Sequence, residues 1–380
     1  MQWIRFLVLA AIAQSVSAVT AGEGPQRPRV LGIEIGVFEP GPLNAITDVS
    51  GVRVGHVTLR EGRRFNTGVT VIVPAAGNLR QAPVPAAVHV ANGYGKLAGA
   101  TQIRELGEIE TPILLTNTLN VAEGIAGVVE WSLAQPGNEN VRSVNAVVGE
   151  TNDGFLNDIR SRPVTVAHVT QAIETASSGA VDEGAVGAGT GAVAFGWKGG
   201  IGTASRVLPD SLGGWTVGVL VQTNMGGILT VDGVRVGEAL GQYYLKDALA
   251  EDRSGDGSIM IVAATDAPLS DRNLERLAKR AIAGLARTGA SMTNGSGDYV
   301  IAVSTHPGLR RHAGEGDRAV ARWPNARMSP LFQAIAEATE EAILNSLFLA
   351  DSVLGHRDRI EALPVDEVMR LWRAEKSVEN

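Results

Sequence analysis

Cysteine is absent from all 380 residues. A thiol nucleophile, a disulfide framework and a cysteine-based zinc site are therefore excluded. Aromatic residues are scarce, at 4%, and no basic run stands out in a chain of formal net charge −7. Nucleic acid is not an expected partner. No stretch reaches the ~18 consecutive apolar residues that a membrane-spanning helix needs, so no membrane association is expected of the mature form. The six histidines (His56, His89, His168, His306, His312 and His356) are scattered, and none forms an H-E-x-x-H pair. Neither a metal nor a cofactor is called for. Covalent chemistry would have to come from Ser, Thr, Lys or a carboxylate.

Glycine is plentiful, with 46 residues, which implies many tight turns and close backbone approaches. Apolar residues make up 44% and charged residues 19%, the balance of a globular protein. Residues 1–21 read as a secretory signal: Arg5, the short apolar run "FLVLAAIA", then small residues ending at Ala18 or Ala21. The expected destination is the periplasm or the exterior.

Short runs rich in Val and Ile, bounded by Gly, Pro or Asn, predict strands over 68–75, 111–118, 143–150, 191–197, 215–224, 258–265 and 298–305. Several are apolar at consecutive positions, so both faces of the sheet should be covered. Helical spacing predicts helices over 165–178, 270–288 and 329–350. The second should be capped by Ser270 and end near Gly289; the third should be capped by Ser329 with Pro330 in its first turn. The expected class is α+β with stacked layers.

Four stretches carry chemistry. "GAVGAGTGAVAFGWKGGIGTASR" (184–206) is the most Gly-dense, but its glycines run into a strand-like segment and not a helix. That context argues against a dinucleotide loop and for close backbone packing or a cleft. "QTNMGG" (222–227) puts Asn224 at a strand end, where its amide could donate to an oxyanion or simply form a turn. "NGSGDY" (294–299) spaces Ser296 and Asp298 two apart, on one face if extended, although these are turn residues too. Finally, the polar run 251–257 meets the apolar strand 258–265 abruptly, with Ser258 on the border. An ordinary loop-to-strand boundary would look the same.

The ordered combination is more specific. "NAITDVSGVRVGH", "TGVTVIVP", "LTNTLNV", "ETNDGFLND", "KGGIGTASR", "DGSIMIVAATDAPL", "NGSGDY" and "EATEEAILNSL" follow one another from 44 to 347. The chain thereby resembles the self-cleaving D-aminopeptidase / β-peptidyl aminopeptidase family, whose precursors split at a Gly–Ser bond. The resemblance implies a four-layer α-β-β-α sandwich like that of N-terminal-nucleophile hydrolases, with different connectivity. It implies cleavage between Gly257 and Ser258 after bending of the preceding linker, giving an α chain (22–257) and a β chain (258–380) of one catalytic domain.

Ser258 would be the nucleophile and its freed α-amine the base. Ser296 would orient protons, Asp298 would hold the amine, and Asn224 would donate to the oxyanion. Glu150 would take the substrate's ammonium. Asn152 stands where other members carry a tyrosine hydroxyl, which tilts the expected specificity toward β-amino N-termini. Lys96 stands where an acid is expected. The resemblance implies release of β-amino, D- or small L-amino acid N-termini from short peptides, amides or esters, by a homo-oligomer of αβ pairs. Two other readings fit parts of the pattern. One is an acetyltransferase resembling the ornithine-acetyl-transferring enzymes, which use threonine at the junction. The other is a non-enzymatic secreted binding module.

Overall fold

The structure, a computed structural model of the uncut polypeptide, describes residues 24–246, 257–312, 314–317 and 319–379. The segment read as a signal and all of the 251–257 linker except Gly257 lie outside these residues.

Two sheets face each other. The first orders its strands β1 (Arg53–Glu61), β2 (Phe65–Val73), β6 (Ile113–Asn117), β7 (Val147–Thr151) and β4 (Leu97–Ala98). The second orders β10 (Ile201–Val207), β11 (Thr216–Asn224), β12 (Ser258–Thr265), β13 (Gly297–Ser304), β3 (Val84–Gly93) and β5 (Glu108–Ile109). A small hairpin, β8 (Val193–Ala194) with β9 (Trp197–Lys198), leads into β10. The helices are α1 (Ala100–Leu106), α2 (Val121–Leu133), α3 (Val166–Glu174), α4 (Val236–Ala239), α5 (Asp271–Arg287), α6 (Ser329–Phe348) and α7 (Val365–Glu379).

Helices α2 and α3 cover the outer face of the first sheet, through a core that includes Val69, Val71, Leu114, Val148 and Val169. Helices α5 and α6 cover the second sheet, through Val219, Val221, Ile261, Val300, Leu277 and Ile335. Between the sheets lie Ile72, Leu115, Val147, Leu220, Met260, Val262 and Ile301. The layering is thus α-β-β-α, as expected. The central strands β12 and β13 are buried at every position, which explains why their apolar residues do not alternate.

Local differences from the sequence reading have physical causes. The strand expected over 191–197 is broken into a hairpin because Phe195 and Gly196 both adopt positive φ (53° and 84°), the backbone of a two-residue turn. Ser329 is the first residue of α6, not its cap; Met328 precedes it and provides no side-chain cap. Helix α6 is buried nearly all round, Glu337 and Glu341 included. Those carboxylates meet the fully buried Arg206 of β10 at 3.1 and 2.6 Å, and Arg29 also pairs with Glu341. Strands β1, β3 and β10 carry no strong local signal. Ser270, by contrast, caps α5 as read, accepting from the Asn273 N–H.

Candidate active site

Strand register assembles the site. Asn224, the last residue of β11, lies opposite Ser258, the first of β12; Ser258 in turn lies beside Gly297, the first of β13. Three segments far apart in sequence therefore end in one row. The Ser258 hydroxyl donates to the Gly257 carbonyl oxygen at 2.7 Å and accepts from the Gly297 N–H at 3.3 Å. That same N–H also reaches the Gly257 oxygen, at 3.2 Å. One backbone donor is thus aimed at both the hydroxyl and the carbonyl of the Gly257–Ser258 junction.

Gly257 is hemmed in: a Cβ there would stand 2.9 Å from Met225 Cα and 3.1 Å from Gly226 N. Gly297 is tighter still, since a Cβ would lie 2.1 Å from the Tyr94 carbonyl oxygen. Both positions demand glycine through close approach of a neighbouring backbone.

The "NGSGDY" residues close one side. Ser296 Oγ donates to Asp298 Oδ1 at 2.7 Å, so the two side chains do share a face. Asp298 is fully buried, and its Oδ2 has no partner among the described residues. Burial pushes its carboxyl up to about 6 against the opposing Ser296 hydrogen bond. Asn92 of β3 clamps the turn from outside, donating to the carbonyls of Thr293 (2.8 Å) and Ser296 (2.6 Å). On the other side, Asn224 Oδ1 accepts from the Val193 N–H at 2.8 Å. The carbonyl end of this amide is committed, which leaves its NH2 end as the donor.

Glu150 comes from the first sheet, near the end of β7, and is 4% exposed. Its Oε1 accepts from the Lys96 backbone N–H at 3.0 Å and meets Lys96 Nζ at 3.4 Å; its Oε2 accepts from the Thr118 hydroxyl. One contact ties it to the Ser258 row: its neighbour Gly149 packs on Met260, two residues along β12. The buried Tyr299 phenol is pushed up first by burial and then by the charges of Glu150 and Asp298. Asn152 is not part of this grouping: it is exposed and its Oδ1 accepts from the Gly154 N–H in a local turn.

The sequence reading did not single out Gly297, Asn92, Tyr299 or Lys198. Lys198 is fully buried, with Nζ donating to the carbonyls of Gly189 (3.0 Å) and Gly199 (2.5 Å). It lies directly across the hairpin from Val193, the residue that holds Asn224. Burial pushes the Lys198 amine down to about 7 and the nearby, fully buried Asp153 carboxyl up to about 7. Gly297 and Tyr299 are letters of "NGSGDY" and Lys198 is the first of "KGGIGTASR", whereas Asn92 lies in no such motif.

Chemically, the row offers a hydroxyl against a carbonyl, two N–H donors, and a buried carboxylate with a free oxygen. Comparison with known proteins agrees with that chemistry. Residues 44–361 match peptidase family S58. The chain is 40% identical to the β-peptidyl aminopeptidase BapA of Sphingosinicella microcystinivorans, over 98% of each chain. Its fold matches a β-aminopeptidase from Burkholderia sp. with a TM-score of 0.84 and 43% identity, over 92% of this chain and 99% of that one. It also matches the L-aminopeptidase D-Ala-esterase/amidase of Ochrobactrum anthropi, a prototype serine aminopeptidase with a variant N-terminal-nucleophile hydrolase fold. There the TM-score is 0.83 and the identity 35%, again over 92% and 99%.

Proposed function

The chain belongs to peptidase family S58, the serine aminopeptidases of N-terminal-nucleophile type, and from that premise we propose that it cuts itself before Ser258 and then releases N-terminal residues, β-amino acids among them, from short peptides. The observation that carries this reading is the Ser258 hydroxyl held against the Gly257 carbonyl while the Gly297 N–H reaches both oxygens.

In the first step Ser258 Oγ bonds to the Gly257 carbonyl carbon. The C–N bond to Ser258 breaks, and the hydroxyl proton passes to the departing nitrogen. Gly297 N–H stabilises the charge that develops on the Gly257 oxygen. Water hydrolyses the resulting ester, leaving a Gly257 carboxylate and a free amine on Ser258.

That amine has an ordinary pKa near 7.7–8.0, so it can take the hydroxyl proton in each later turnover. Asp298 holds it through Oδ2, a role supported by that oxygen having no partner among the described residues while Ser296 takes the other carboxylate oxygen. Asn224 donates to the oxyanion of the substrate's tetrahedral intermediate, and Glu150 takes the substrate's ammonium. The amine returns its proton to the leaving group, and water clears the acyl-enzyme. The acetyltransferase and binding-module readings lose their ground with the family established.

We further propose export, on the 1–21 segment alone, and assembly of αβ pairs into a homo-oligomer. The test is Ser258→Ala. It should leave a single uncut, inactive chain, because neither self-cleavage nor acyl transfer can begin. Two chains by mass spectrometry in that variant would refute the mechanism. N-terminal sequencing of the wild-type chains reads both cuts, one after Ala18 or Ala21 and one at Ser258; a chain still starting at Met1 would refute export.

A further inference from the structure

Glu150 is already neutralised before any substrate arrives. Its two oxygens are taken by the Lys96 backbone N–H, the Lys96 ammonium and the Thr118 hydroxyl. The lysine side chain is 49% exposed, whereas that of Glu150 is 4% exposed. Solvent therefore meets the ammonium first and the carboxylate behind it. A substrate bringing only an N-terminal ammonium to Glu150 would place a second positive charge against Lys96. Like charges forced together at a recognition site select against the partner that brings them. A substrate whose amine and a carboxylate sit on the same carbon meets no such penalty: its ammonium faces Glu150 and its carboxylate faces Lys96.

Resting on the β-aminopeptidase reading above, we infer that Lys96 and Glu150 form a two-charge clamp for a β-linked N-terminal residue bearing its own carboxylate. The simplest such residue is aspartate joined through its side-chain carboxyl. In that residue the scissile carbonyl is one methylene from the carbon that carries both charges, so it is a β-amino acyl group like any other. Lys96 is then a specificity-determining residue, and the bond broken at Ser258 is the same amide.

The experiment compares kcat/KM for β-aspartyl-leucine and β-alanyl-leucine with the purified two-chain enzyme. Wild type should prefer the β-aspartyl peptide by about tenfold or more, the worth of one charge-assisted hydrogen bond. Lys96→Met should abolish the preference by losing the β-aspartyl substrate. Lys96→Arg should retain it. Self-cleavage on a denaturing gel checks that each variant folds; if Lys96→Met does not, the wild-type ratio and Lys96→Arg decide. Wild type that prefers β-alanyl-leucine, or a ratio unchanged in Lys96→Met, overturns the clamp and leaves the β-aminopeptidase reading standing. Wild type that cleaves neither β-peptide, yet releases leucine from an α-linked dipeptide, overturns both.

Discussion

Replacing Lys198 with methionine tests whether the buried amine supports the oxyanion donor. Lys198 has no solvent exposure and its Nζ donates to two carbonyls, those of Gly189 and Gly199. A neutral amine has two N–H donors, which matches this demand with no proton left over. Burial pushes its pKa from 10.5 down to about 7. Between those values the unfolded chain holds a proton that the folded chain has released, so this residue makes stability rise with pH across that window. From pH 7 to 9.5 the rise is at most about 3 kcal/mol, at 1.36 kcal/mol for each tenfold change in proton affinity. The window lies above the values near 7 to which burial raises Asp153 and Glu183, so those carboxyls contribute little to it.

Urea unfolding should be followed in the Ser258→Ala background, where a single chain keeps the transition simple. There the stability advantage of the chain that keeps Lys198 over the one carrying Lys198→Met should widen with pH, and the substituted chain should lack the slope. In the cuttable enzyme, Lys198→Met strips the donor from the buried Gly199 carbonyl, at about 1–3 kcal/mol, while the Gly189 carbonyl keeps the Ala192 N–H. It loosens the hairpin whose Val193 N–H holds Asn224. Turnover should fall about tenfold with KM unchanged, a fraction of the loss expected for removing an oxyanion donor outright. Wild-type kcat together with an unchanged pH slope would refute the reasoning.

Asn224→Ala should lower kcat by about 10²–10³ with the far-UV spectrum preserved, as for loss of one oxyanion donor; wild-type steady-state kinetics would remove Asn224 from the site. Gly297→Ala puts a Cβ 2.1 Å from the Tyr94 carbonyl oxygen and must displace the N–H that serves the junction. Uncut chain should accumulate on a denaturing gel over time; self-cleavage at the wild-type rate would show that this donor is dispensable.

The strand that begins at Ser258 was legible to the residue, because a polar run gives way to six apolar residues there. Helix α5 was legible for a similar local reason, its Ser270 cap and its apolar face. The pairing that makes the site was not legible from local pattern. Asn224 meets Ser258 across an antiparallel ladder, and Ser258 meets Gly297 across a parallel one 39 residues away. Periodicity reports which face of a strand is buried, not which strand lies beside it. Strand β10 was hidden for another reason. Its sequence "IGTASRV" has little β-propensity, and Arg206 becomes a core residue only because Glu337 and Glu341 of α6 arrive to meet it. Lys198 was silent in the same way: a lysine usually reads as surface, and only the fold supplies the carbonyls that let it be buried.

The glycines of 184–200 connect these observations. Read alone, they argued against a dinucleotide loop and left close backbone packing or a cleft open. A Cβ on Gly189 would lie 2.4 Å from Ile201 N, on Gly191 2.2 Å from the Asn66 carbonyl oxygen, and on Gly199 2.6 Å from that of Thr223. Each is a backbone contact, so no side chain can swing aside to make room. The segment must lie against its neighbours' backbones for Lys198 to span Gly189 and Gly199 and for Val193 to reach Asn224. Any larger residue at these positions would lift the hairpin and turn the Asn224 amide away from the Ser258 row. Glycine density there thus follows from the backbone packing that seats Val193 against Asn224 at the end of β11, next to the strand that presents Ser258.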